Sequence, residues 1–133
     1  MRHEEFIGQV QDRARLSGWS QAERATRAVL ETLGERVPEG LADNLAAQLP
    51  HEIGEHLRRT EVYGGGGSGE RFDRHDFVER IAARAGTDDP RAAYLARVVL
   101  EVTDDATEGG TMRKVGDALP ADIRELMTAG HSG

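Results

Sequence analysis

The chain repeats itself, and that repeat restricts its fold more than any single motif does. At a shift of 71 residues Phe6, Arg13 and Ala14 recur as Phe77, Arg84 and Ala85, with Ile7/Val78 and Val10/Ile81 as conservative matches. At a shift of 70, Ala22, Arg27, Val29, Leu30 and Glu31 recur as Ala92, Arg97, Val99, Leu100 and Glu101, and Gly40, Leu49, Pro50, Ile53 and Glu55 as Gly110, Leu119, Pro120, Ile123 and Glu125. These ten identities fall within the 38 positions from 20 to 57, where ordinary residue usage gives roughly two or three. Any two amphipathic helices share apolar spacing, but that does not bring Gly40/Gly110 and the two Leu-Pro pairs into the same register. The chain therefore reads as a tandem duplication. Each unit of about 65 residues is marginal on core size alone, so the two are expected to pack face to face.

Apolar spacing makes the units helical. Phe6, Ile7, Val10 and Ala14 share one helical face, which predicts a first helix near residues 2–16. Ser20 followed by Glu23 is a capping-box pattern, predicting Ser20 as N-cap of a helix over about 21–35 that buries Ala22, Ala25, Val29 and Leu33. Pro38 suits the first residue of a third helix carrying Leu41, Leu45 and Leu49, because its missing N–H needs no partner there. Pro50 breaks that helix and suits the start of a fourth, with Ile53 and Leu57. The second unit reads alike: a helix over 74–85, a cap at Asp89 ahead of Pro90, then helices over 90–104, near 110–118 and from Pro120 through Met127. No stretch alternates with period two in β-branched residues. The expected fold is all-α, about eight helices in two four-helix repeats, with Phe6, Val10, Val29, Leu30, Leu49 and Pro50 of the first matched by Phe77, Ile81, Val99, Leu100, Leu119 and Pro120 of the second as core and corner positions.

The expected organisation is a first repeat over 1–62, a glycine-rich linker over 63–72 and a second repeat over 73–133, forming one compact unit. Phe6-Ile7 gives way at once to Gly8-Gln9, so no signal-peptide apolar run and no spanning segment is expected, and the location expected is cytoplasmic. With no cysteine, disulfides and thiolate metal sites are excluded. The net charge of −7 leaves −2 on residues 1–60 and −4 on residues 73–133, so neither unit shows the basic face that nucleic acid or anionic lipid attracts.

The Phe-Ile-x-x-Val and Phe-Val-x-x-Ile openings, the Ala/Leu-rich second helix, Gln48-Leu49-Pro50 and Ala118-Leu119-Pro120 form a family pattern. Together with Glu61-Val62-Tyr63-Gly64 and Asp73-Arg74-His75-Asp76-Phe77, this pattern resembles the bacterial and archaeal domain-of-unknown-function family 2267. The resemblance covers essentially the whole chain. It implies a small helical protein of two similar halves and brings no established activity, cofactor or substrate.

Candidate chemistry is sparse. His51-Glu52-Ile53-Gly54-Glu55-His56 is the sharpest polar cluster. Its H-E-x-x-x-H spacing turns the two imidazoles about 140° apart on a helix, unlike the H-E-x-x-H pair that shares one metal. His51, Glu52, Glu55 and His56 are thus weak metal candidates, better read as a solvated face with i,i+4 pairs. His3-Glu4-Glu5 and His75-Asp76 stand at helix starts, where acidic side chains suit the dipole. The glycine run lacks the Lys-Ser/Thr of a phosphate cradle. A helix-turn-helix reading of Val37-Pro38-Glu39-Gly40 fails to place a basic side chain between residues 39 and 49. Trp19, the only indole, is read as a lid over the first half's core, with a partner anchor as the alternative.

No catalytic set converges, and no cofactor is expected. The leading expectation is a non-enzymatic module for protein–protein contact or self-association. The second is a small-molecule or metal-binding protein using a cleft between the repeats, and a weaker third is DNA binding.

Overall fold

A computed structural model describes residues 1–62 and 72–128, and among them eight α-helices and no strand are found. In chain order they are α1 (His3–Ala14), α2 (Trp19–Arg36), α3 (Glu39–Gln48), α4 (His51–Val62), α5 (Arg74–Ala85), α6 (Asp89–Asp105), α7 (Thr111–Asp117) and α8 (Ala121–Thr128). The expected all-α fold holds. Residues 63–71 of the expected linker, and the chain beyond Thr128, lie outside the described residues. Phe72, the last residue of that segment, is buried at 7% exposure. Its ring stacks on Phe77 with centroids 6.5 Å apart, Arg80 lies over it at 4.0 Å, and Arg36 Nε donates to its carbonyl at 3.0 Å.

The helix boundaries follow local chemistry, with three corrections. Helix α2 begins at Trp19, so Ser20 lies inside its first turn and is not the N-cap. Gly18 takes that place with extended backbone (φ −148°, ψ 160°), and the Gln21 side chain, not Glu23, reaches back to accept the Ser17 N–H at 3.3 Å. The cap of α6 is Asp88, whose carboxylate accepts the Arg91 N–H at 2.9 Å, while Asp89 and Pro90 are the first helical residues. Pro38 likewise stands one residue ahead of α3, as its N-cap. The two Leu-Pro corners match closely. The Pro50 carbonyl accepts from Ile53 and Gly54, both at 2.9 Å, and the Pro120 carbonyl from Ile123 at 3.1 Å and Arg124 at 3.0 Å. Leu49 and Leu119 are buried at 7% and 3% exposure, with the prolines half-buried beside them. Gly40 and Gly110 align in sequence but differ in role: Gly40 lies inside α3, whereas Gly110 is the left-handed N-cap (φ 73°) of the shorter α7.

The ends of α1 and α5 show what the repeat conserves. Both helices close on a left-handed residue, Arg15 (φ 55°) and its counterpart Gly86 (φ 70°). Only glycine takes that conformation without a Cβ penalty. Arg15→Gly is expected to stabilise the protein by about 0.5–1 kcal/mol in chemical denaturation, the relief of left-handed strain exceeding the added freedom of the unfolded chain.

A large apolar cluster runs through both halves, from Phe6, Val10, Leu30 and Ile53 to Phe77, Ile81, Leu100 and Ile123, and a smaller one joins Ala14 and Ala25 to Leu95 and Val98. Helix α2 packs on α1 and α4, and α3 on α4; α6 packs on α5 and α8, and α7 on α8. Across the halves α2 meets α5 as α1 meets α6, while α2 meets its own counterpart α6 and α3 meets α7. This pattern is compatible with two repeats packed about an approximate two-fold axis. No helix among the described residues is long and apolar enough to cross a membrane.

Candidate functional site

The histidine-glutamate cluster does not gather into a site. His51 and Glu55 face each other on the surface of α4, Nε2 to Oε1 3.8 Å, with side chains 80% and 45% exposed. Arg58 completes a surface network, 3.7 Å from Glu55 and 3.4 Å from Asp43. Exposed pairs of this kind contribute little. Glu52 is exposed, and His56 turns away from the other three. Among the described residues no group of three or more His, Asp or Glu is placed to hold a metal. His75 pairs with Glu79 at 3.0 Å on an exposed turn of α5.

Trp19 is not a lid. Because α2 starts one residue before Ser20, the indole stands on the surface at 39% exposure, edge-on to His3 with centroids 6.2 Å apart. Among the described residues it and Met1 are the only large hydrophobic side chains that stand exposed.

The structure places a cleft where the two halves meet. Its volume is about 630 Å³. Helix α2 supplies one wall through a polar stripe of Ser20, Glu23, Arg24, Arg27 and Glu31 above the buried Ala28; α4 contributes His56 and α5 contributes Arg84. Of the four weak metal candidates, only His56 lines it.

Part of this wall is structural. Arg84 crosses from α5 to α2, with Nη1 2.7 Å from Glu35 and 2.7 Å from the Thr32 hydroxyl, and Nε 4.0 Å from Glu31. The same clamp is built on the other side, where Arg13 of α1 reaches α6 at 2.7 Å from Asp105 and 3.9 Å from Glu101. Arg13 and Arg84 are repeat partners, as are Glu31 and Glu101. Repeated charges that look like ordinary surface in the sequence therefore tie the halves together. Arg27 is held by Glu31 at 3.2 Å. Arg24 donates Nε to the Arg84 carbonyl at 3.1 Å, against the C-terminal end of α5, where a cation suits the dipole.

Sequence reasoning missed Glu23, Arg24, Arg27, Glu31 and Arg84 as a lining set. On one helix they form the polar face that any surface helix shows, and the helices facing them are not adjacent in sequence. A comparison with the curated proteins returns no match. The family model described as an uncharacterized conserved protein (DUF2267) matches residues 3–126, from the first residue of α1 into α8. The Phe-opened first helices and Leu-Pro corners thus have the setting their resemblance implied, and the chain belongs to the DUF2267 family.

Proposed function

We propose that the protein is a binding protein without catalytic turnover, taking a small molecule in the cleft between α2, α4 and α5. The observation that carries this reading is the cleft itself. At about 630 Å³ it falls within the roughly 300–1,000 Å³ of small-molecule sites, and it lies at the junction of two similar units, a common place for such sites. Its lining mixes a buried alanine with convergent polar groups. Protein–protein contact is the second reading, supported by the exposed Trp19, since an indole is a frequent interface anchor. With few large apolar side chains exposed around it, that surface has less to offer a stable partner than the cleft has to offer a ligand.

A thermal-shift screen of metabolites on the intact chain, run beside His56→Leu, tests the first reading. Leucine is what the second repeat carries at the equivalent position 126. A ligand at a hundred times its Kd is expected to stabilise the native protein by about 2.7 kcal/mol, with the gain reduced in the variant. A panel that moves neither protein counts against the cleft. A concentration-dependent dimer seen by light scattering, and lost in Trp19→Ala, would favour the second reading instead.

A further inference from the structure

The two sides of the molecule carry the same clamp but not the same cleft. Under the repeat, Arg27, Glu31 and Arg84 recur as Arg97, Glu101 and Arg13. Ser20, Glu23, Arg24 and His56 do not recur; the second side has Pro90, Ala93, Tyr94 and Leu126 in their places.

Arg24 and Tyr94 show what the difference means. The Tyr94 hydroxyl donates to the Arg13 carbonyl at 2.9 Å, as Arg24 Nε donates to the Arg84 carbonyl at 3.1 Å. A neutral hydroxyl thus closes the helix end that Arg24 closes on the other side, so this bond does not require a cation. Arg24 adds a full positive charge and two terminal nitrogens, and among the described residues no carboxylate pairs with it. Leu126 is part of the apolar core at 4% exposure, whereas its counterpart His56 puts a half-buried imidazole into the cleft wall. With Ser20, Glu23 and Arg24 exposed and His56 half-buried, the first side presents polar groups to the cleft where the second carries a proline, an alanine, a tyrosine and a core leucine.

We propose that this side of the molecule is a site for a small anion bearing a carboxylate or phosphate group, held by the Arg24 guanidinium and the His56 imidazole, with Ser20 as a further hydrogen-bond donor. The proposal rests on the cleft reading above and adds the class of ligand. Of the three guanidinium groups that line the cleft, Arg27 is held by Glu31 and Arg84 by Glu35 and Glu31, which leaves Arg24 as the lining arginine with no carboxylate partner among the described residues. Planar, forked donors such as arginine match carboxylate and phosphate oxygens in pairs, which suits recognition of either group.

The test is titration of the intact chain with inorganic phosphate and with succinate at ionic strength held constant with sodium chloride, beside glucose as a neutral probe and choline as a cation. Saturable binding of one anion is expected, and which of the two binds identifies the group recognised. Arg24→Tyr copies the second repeat, so it is expected to keep the unliganded Tm while weakening that anion at least about tenfold through loss of a charge-assisted bond. His56→Leu is expected to weaken it as well. Anion binding that persists unchanged in Arg24→Tyr overturns the proposal, as does the absence of a saturable response to either anion. Glucose or choline bound instead, and lost in His56→Leu, overturns the anion class while leaving the cleft reading standing. Silence from all four probes counts against both.

Discussion

Phe77→Ala is expected to lower stability by about 3–5 kcal/mol, and Phe6→Ala by a similar amount. Both rings are wholly buried in the larger apolar cluster that runs through the two halves, and they are repeat partners on the inner faces of α5 and α1. Removing either leaves a cavity that its neighbours fill only in part. Against the roughly 5–15 kcal/mol of an ordinary domain, this is a large share of the total. The shape of the denaturation curve matters as much as the size of the loss. Because the core is shared and charged clamps join the halves on both sides, each variant is expected to unfold in a single transition read alike by circular dichroism and by Trp19 fluorescence. Trp19 reports only on the first half, so a Phe77→Ala protein in which the indole signal moves later than the helical signal would show that the halves hold separately. A loss within the surface range of about 0.5 kcal/mol would contradict the burial itself.

The fold was legible because helix formation and burial are largely local matters of spacing. Phe6, Ile7, Val10 and Ala14 mark a face whether or not the covering helix is known, and all four are buried. What covers that face is not local. The sequence shows Arg13 and Arg84 as repeated surface charge, and only the packing of α1 on α6 and of α2 on α5 turns them into cross-half ties. The capping errors have a different origin. Ser20 and Glu23 satisfy a capping pattern on paper, but Gly18 and Gln21 offer a competing solution two residues earlier, and neighbouring caps differ by little enough that tertiary packing decides. That shift also moved Trp19 from an expected loop onto the exposed start of a helix. Of the candidate site, the sequence offered only His56, because Arg24 and Arg84 meet it from helices far along the chain.

Gly34→Ala is expected to cost about 3 kcal/mol, at the upper end of what overpacking a well-filled interior does. A Cβ at Gly34 would press on the Leu57 carbonyl oxygen, a backbone atom of α4 that cannot swing aside as a side chain would. Gly54 is placed similarly, where a Cβ would lie 2.6 Å from the Ala46 carbonyl oxygen of α3. The two glycines let α4 approach both α2 and α3 closely. The second repeat solves the same crossings differently: Asp104 is the exposed counterpart of Gly34, and the small residue at the α7–α8 contact is Gly116, the counterpart of Ala46, beneath Arg124. Arg124 reaches over it to donate to the Gly116 carbonyl at 2.9 Å and the Leu119 carbonyl at 3.0 Å. Gly8→Ala supplies the control of opposite sign. Gly8 lies inside α1 with nothing within 4 Å of an added Cβ, so alanine there is expected to stabilise by about 0.5–1 kcal/mol through helix propensity alone. Measured side by side in urea, the two substitutions separate close helix approach from propensity. If both stabilise, α2 and α4 are not in backbone contact at Gly34, and the packing described for the first repeat is wrong at its tightest point.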